Sequence, residues 1–174
     1  KEHFFDGFND NREYACRTLI PAIQNGAAFI VLCDTNGGTL PHEIEQIIQD
    51  VYRWLEVELG APLADRQVKF GIHAHNDCGM AVANSITAVR SGISMVQGTI
   101  NGYGERCGNA NLCSIIPDLE IKLNLRCLPE GKLGQLTRVS RTVSEIANIA
   151  ERRVNLLLGG NNGLLPRFLA AEPG

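Results

Sequence analysis

The stretch His73-Ala74-His75-Asn76-Asp77, which follows Val68-Lys69-Phe70-Gly71-Ile72 without a break, decides how this chain is read. The apolar run predicts a buried strand, and the small polar residues after His75 predict the loop at its C-terminal end. Residues two apart on a strand share a face, so the two imidazoles project together, about 6.6 Å apart along the backbone. Two neutral imidazoles on one face make half of a metal site. The competing reading is a pair of histidines hydrogen-bonded at a strand end. In parallel α/β sheets, the C-terminal ends of the strands are where binding and catalytic groups collect.

On either side of this stretch the apolar period alternates between helical and strand-like. Tyr14, Thr18, Leu19, Ala22 and Ile23 fall on one helical stripe that stops at Gly26. Ala27 to Cys33 is a continuous apolar run ending at Asp34-Thr35-Asn36-Gly37-Gly38, a strand entering a loop. Pro41 opens a helix in which Ile44, Ile47, Ile48, Val51 and Leu55 keep the 3.6-residue period to about Gly60. Beyond the histidines, Met80 to Val89 predicts a helix closed by Gly92. Ser94 to Ile100 predicts a strand, followed by the Gly- and Asn-rich loop Asn101 to Asn109. Three strand-loop-helix units with apolar strands call for a parallel sheet covered by helices, and the fold class is α/β. The loop 101–109 has two readings. One is a tight turn with a Glu105-Arg106 surface pair; the other has Asn109 offering its amide oxygen to the same cation as the histidines, where Gly108 lets a helix begin. Its glycine spacing is off by one from a dinucleotide fingerprint, which disfavours nucleotide binding.

The totals are those of an ordinary globular chain: 174 residues, 44% hydrophobic, 20% charged, net charge -3. Scattered basic residues give no nucleic-acid footprint, and no apolar run reaches the roughly 18 residues needed to span a bilayer. Neither nucleic acid nor membrane is expected as partner. Six cysteines without C-x-x-C pairs fit a reducing cytoplasm. Cys33 and Cys113 read as small core residues, whereas Cys78 and Cys107 lie in the loops beside glycine. Residues 150–174 lack a clear period and read as a poorly ordered tail, or else as a short packed helix.

Three segments, CDTNGGTLP at 33–41, GIHAHNDCGMAVANS at 71–85 and VQGTINGYGERCGNANL at 96–112, together resemble the pyruvate carboxyltransferase-type (HMGL-like) TIM-barrel family. That family includes 2-isopropylmalate, homocitrate and citramalate synthases and hydroxymethylglutaryl-CoA lyase. EHFFDG at the start and VLCDTNGGTLPHEI are most similar to its citramalate synthase branch. The resemblance implies that residues 1–149 are the C-terminal half of a (β/α)8 barrel, since a closed barrel takes about 250 residues. It implies His73, His75 and Asn109 as ligands of a divalent metal, Mg, Mn or Zn, and Thr35 as the contact to a 2-oxoacid carboxylate. Glu2 falls where relatives carry a catalytic carboxylate, although a solvated terminal residue is the other reading. Asn76 and Asp77 are expected to orient the histidines, and Asp34 to support the site or cap its loop.

The implied reaction condenses acetyl-CoA with a 2-oxoacid, pyruvate giving citramalate for isoleucine synthesis. The alternatives within the family are 2-isopropylmalate and homocitrate synthase; from another class, the chain is an inactive barrel piece that only binds metal or a partner. Relatives open their barrel with an Arg-Asp pair that is absent here, so these residues alone are expected to have little activity. The resemblance further implies a homodimer in the full-length form.

Overall fold

A computed structural model describes residues 4–149. Within them the chain divides into two compact units: one runs to Thr99 and takes in Tyr103–Ala110, and the other comprises Ile100–Gly102 and the residues from Asn111 onward.

The first unit is built on three parallel strands in the order β1-β2-β3, β1 spanning Phe29–Asp34, β2 Lys69–Ala74 and β3 Met95–Gln97. Register is fixed along both pairs: Cys33 lies opposite His73 and Asp34 opposite Ala74, and His73 in turn lies opposite Gln97. β2 is the central strand, which is why its run is apolar on both faces; Phe70, Gly71, Ile72 and Ala74 are all buried. Gly71 is required there by space, since a Cβ would lie 2.8 Å from Met95 Cε and 3.3 Å from Val31 Cγ2. The α/β class with parallel strands is as expected. Three strands are present among the described residues, the third much shorter than the predicted 94–100 run because Ile100–Gly102 turns into a 3-10 helix.

Helix α1 (Phe4–Asp10) buries Phe4, Phe5 and Phe8 and packs on α2 (Arg12–Gln24) and β1. Asn11 caps α2 by accepting from the Tyr14 amide at 3.0 Å. Its buried stripe is Ala15, Cys16, Leu19 and Ile23. Tyr14 and Ala22, expected on that stripe, are exposed, Tyr14 at 68%, because Ala15 and Cys16 take the core-facing angle.

Helix α3 (Pro41–Leu59) carries the chain from β1 back to β2, burying Ile44, Ile47, Ile48, Val51 and Leu55 as their spacing predicts. Pro41 starts it, Glu43 Oε2 reaches back to accept from the Leu40 amide at 2.8 Å, and Gly60 ends it at φ +64. Helix α4 (Ala81–Arg90) packs against α3 and β2 through Ala81, Asn84, Ser85 and Ala88, all buried. Small side chains let its backbone approach both neighbours closely.

In the second unit α5 (Leu112–Pro117) is capped by Asn111, which accepts from the Cys113 amide at 2.9 Å. α6 (Leu136–Ala147) turns Leu136, Ser140 and Ser144 inward. Asn101 sits in the left-handed region at φ +62; its Nδ2 donates to the Ser140 carbonyl at 2.9 Å, and its Oδ1 accepts from the Ser140 hydroxyl at 2.5 Å. Cys113 is buried as expected, whereas Cys33 is only half-buried because it lies on the less covered face of β1. The predicted tail 150–174 and Glu2 lie outside the described residues. No described helix is long and apolar enough to cross a membrane.

Candidate functional site

The loops after β1, β2 and β3 meet at the C-terminal edge of the sheet. Because β1 and β2 are in register to their last residues, Thr35 and His75 emerge side by side, and the His75 amide donates to the Asp34 carbonyl at 3.1 Å. The third loop folds back onto the end of β2: His75 and Asn109 form an isolated antiparallel bridge, the Ala110 amide donates to Ala74 O at 3.0 Å, and the Asn76 amide donates to Gly108 O at 2.9 Å. Asn109 is therefore placed by the end of the histidine strand and not by a helix start, since α5 begins at Leu112.

The two imidazoles meet edge to face, ring centroids 5.2 Å apart at an interplanar angle of 68°. His75 is 7% exposed and His73 half-buried. Asn109 Nδ2 donates to the Tyr103 carbonyl at 3.1 Å, which turns its Oδ1 the other way. That oxygen is buried and accepts no hydrogen bond among the described residues. A buried acceptor left unpaired is destabilising by about 1–3 kcal/mol, which a cation in contact with it would offset. Gly104 is what lets Asn109 sit so deep, because a Cβ there would collide with its Nδ2 and lie 2.8 Å from its Cγ.

Among the described residues no three His, Cys, Asp or Glu side chains converge into a metal group. What this edge can supply is two imidazole nitrogens and one amide oxygen, a partial set suited to a borderline divalent ion. The orphaned Asn109 oxygen beside the His75 bridge makes these residues a fit for such an ion.

Arg106 organises the rest. Its Nε donates to Asp77 Oδ1 at 2.7 Å, and its Nη2 lies 2.8 Å from Asp77 Oδ2, 2.6 Å from Thr35 O and 2.7 Å from His75 Nδ1. The Arg106 fork holds the Asp77 carboxyl below the usual carboxylate range, and the guanidinium is raised in return. A guanidinium has no acceptor, so wherever Nη2 bonds the His75 ring it is Nδ1 that accepts. Arg106 adopts φ +52, a left-handed conformation that is unfavourable by roughly 1–2 kcal/mol outside glycine. Sequence reasoning paired Arg106 with its neighbour Glu105 and missed this role; the partner, Asp77, lies 29 positions away. The mixed charges of the two loops were the only signal.

Of the supporting residues, Asp77 does reach His75, through Arg106. Asn76 instead accepts from the Ala81 amide at 3.1 Å and caps α4. Thr35 lies at the edge with its carbonyl held by Arg106. Asp34 is fully buried: Oδ1 accepts from the Thr39 hydroxyl at 3.0 Å, and Oδ2 has no partner among the described residues. Burial pushes its pKa up against the Thr39 hydrogen bond, with the Asp6 charge adding to the rise. Cys78 and Cys107 are exposed.

The HMGL-like family pattern matches residues 6–143, most of the described chain. The chain belongs to the HMGL-like family. It is 56% identical over 149 residues to an (R)-citramalate synthase of Synechocystis sp., covering 86% of this chain and 27% of that protein. It is 49% identical over 160 residues to an (R)-citramalate synthase of Geobacter sulfurreducens, covering 92% and 28%. A 2-isopropylmalate synthase of Blochmanniella pennsylvanica is 35% identical over 163 residues, with 90% and 29% covered. The chain thus spans little more than a quarter of the length of these HMGL-like relatives. Among solved structures, a Bacillus subtilis HMG-CoA lyase shares the fold with a TM-score of 0.63 at 24% identity, over 84% of this chain and 48% of that one.

Proposed function

We propose that these residues form the C-terminal half of a (β/α)8 barrel in an acyltransferase that condenses acetyl-CoA with a 2-oxoacid, pyruvate giving (R)-citramalate, on the route to isoleucine. The observations that support the reading are the His73 and His75 rings 5.2 Å apart and the unpaired Oδ1 of Asn109, the residue bridged to His75, in a chain 46–56% identical to five (R)-citramalate synthases. The 2-isopropylmalate synthases stand lower, at 35–37%, so pyruvate is favoured over the branched oxoacid.

In this reading His73, His75 and Asn109 hold a divalent cation, Mg, Mn or Zn. When bound, the cation supplies Lewis-acid polarisation of the oxoacid carbonyl, a contribution of several kcal/mol. Thr35, at the head of the loop after β1, binds the oxoacid carboxylate and fixes the face of the keto carbon offered for attack. Glu2 removes a proton from the acetyl methyl group, general-base work that turns the methyl carbon into the nucleophile. The new bond joins that carbon to the keto carbon, and thioester hydrolysis releases CoA and makes the condensation irreversible. The full-length enzyme is a homodimer in the cytoplasm.

Release of CoA, followed with a thiol reagent while pyruvate, 2-oxoisovalerate and 2-oxoglutarate are offered in turn with acetyl-CoA, tests the assignment in the intact protein. Turnover with pyruvate that is lost on chelation and restored by Mn is expected. Preference for 2-oxoisovalerate would reassign the protein as a 2-isopropylmalate synthase, and chelator-insensitive turnover would remove the metal.

A further inference from the structure

The contacts of Arg106 are more than a surface ion pair requires. One guanidinium joins its own loop to two segments distant in sequence: the loop after β1 through Thr35 O, and the end of β2 with its following loop through His75 Nδ1 and both Asp77 oxygens. Its own loop holds it in a left-handed conformation at φ +52, close to Gly108 at φ +95. Gly37 also crowds Asp77, since a Cβ there would be 2.6 Å from Asp77 Oδ2.

The arithmetic of hydrogens at Nη2 is informative. That nitrogen carries two N–H groups but has three acceptors within 2.8 Å: Thr35 O, His75 Nδ1 and Asp77 Oδ2. One acceptor is surplus. Thr35 O and Asp77 Oδ2 alone satisfy both hydrogens, so His75 is the contact that the guanidinium can release at no loss of hydrogen bonding. His75 is also the acceptor whose ring lies edge to face with His73, 5.2 Å between centroids, and whose backbone is bridged to Asn109.

We infer that Arg106 is a positioning residue for the metal site: it tethers the Thr35 loop to Asp77 and holds the His75 ring ready, then cedes that ring to a divalent cation while keeping its other contacts. This rests on the assignment of His73, His75 and Asn109 to a metal. The fork geometry is essential to it. A lysine ammonium is a point donor and cannot hold both Asp77 oxygens in plane while reaching Thr35 O.

The experiment measures Mn affinity by calorimetry in the intact protein and in Arg106→Gly, Arg106→Lys and His73→Ala/His75→Ala variants, with thermal midpoints alongside. Glycine accepts the backbone conformation at position 106 and leaves a guanidinium-sized space. Arg106→Gly is expected to bind Mn about 10- to 100-fold more weakly, the range for losing a group that orients a metal ligand. Its thermal midpoint should be retained, and affinity should recover with low-millimolar guanidinium chloride. Arg106→Lys, which keeps the charge and stays folded if the glycine variant does not, should show the same weakening. Unchanged or tighter Mn binding in either variant overturns the tether while leaving the metal site standing. Mn binding that survives removal of both histidines overturns the metal assignment and the tether with it.

Discussion

His75 and Asn109 are bridged through their backbones although they come from different loops, so the imidazole and the carboxamide are set by one short piece of antiparallel pairing at the end of a parallel sheet. The position of Asn109 follows the strand, and its unpaired Oδ1 is held by the Nδ2 bond to Tyr103 O. Asn109→Ala is expected to weaken divalent-metal binding by about 10-fold or more. Its folding stability should change by no more than about 1 kcal/mol, because losing the Tyr103 bond is offset by removing a buried unpaired oxygen. Calorimetric titration beside chemical denaturation separates the two effects; a large stability loss with intact metal binding would mean that the residue is architectural.

Gly37 combines φ +64 with a space too small for a methyl group, its virtual Cβ lying 2.8 Å from the Asp77 amide nitrogen and 2.9 Å from the His75 carbonyl carbon. Gly37→Ala should destabilise the protein by roughly 1–3 kcal/mol through backbone strain alone. Urea titration reads this, and a neutral substitution would contradict the close approach of the two loops.

Ile48 and Leu55 are wholly buried on the core face of α3. Truncating either to alanine should reduce stability by about 2–5 kcal/mol. Val57 on the same helix is 78% exposed, and Val57→Ala should change stability by less than about 0.5 kcal/mol. Denaturation midpoints of the three variants, taken together, test the predicted face.

Asp34 carries a pH signature. Burial raises its folded pKa above the unfolded value, so the native state holds the proton longer than the unfolded chain. Stability from this group is greatest below about pH 4 and falls as pH rises through the raised native value, then levels off. Asp34→Asn removes that slope and should raise the thermal midpoint near neutrality. Equal slopes between pH 4 and 7 in the two proteins would show that the carboxyl is not the source.

The sequence made the α/β alternation readable because the core positions of α3 and β2 are set by period and apolarity, which are local properties. Pro41 and Gly60 marked both ends of α3 for the same reason. His73 and His75 were legible because strand geometry alone puts residues two apart on one face. Tyr14 misled because its ring fits a helical stripe by spacing while Ala15 and Cys16 win the packed face. Arg106 was missed because its partners, Thr35, His75 and Asp77, are brought to it only by tertiary folding, and adjacency to Glu105 is a poor guide in a loop that turns through a positive φ.

Asn76 follows His75 in sequence and at the same time caps α4, whose packing face is Ala81, Asn84, Ser85 and Ala88. The start of the helix and the end of β2 are therefore pinned together one residue from His75. Enlarging that face, as in Ser85→Leu, would overfill a fully buried position at a cost of about 1–3 kcal/mol, and the displaced helix would pull on the residue beside His75, so a packing lesion in mid-helix would be felt at the sheet edge.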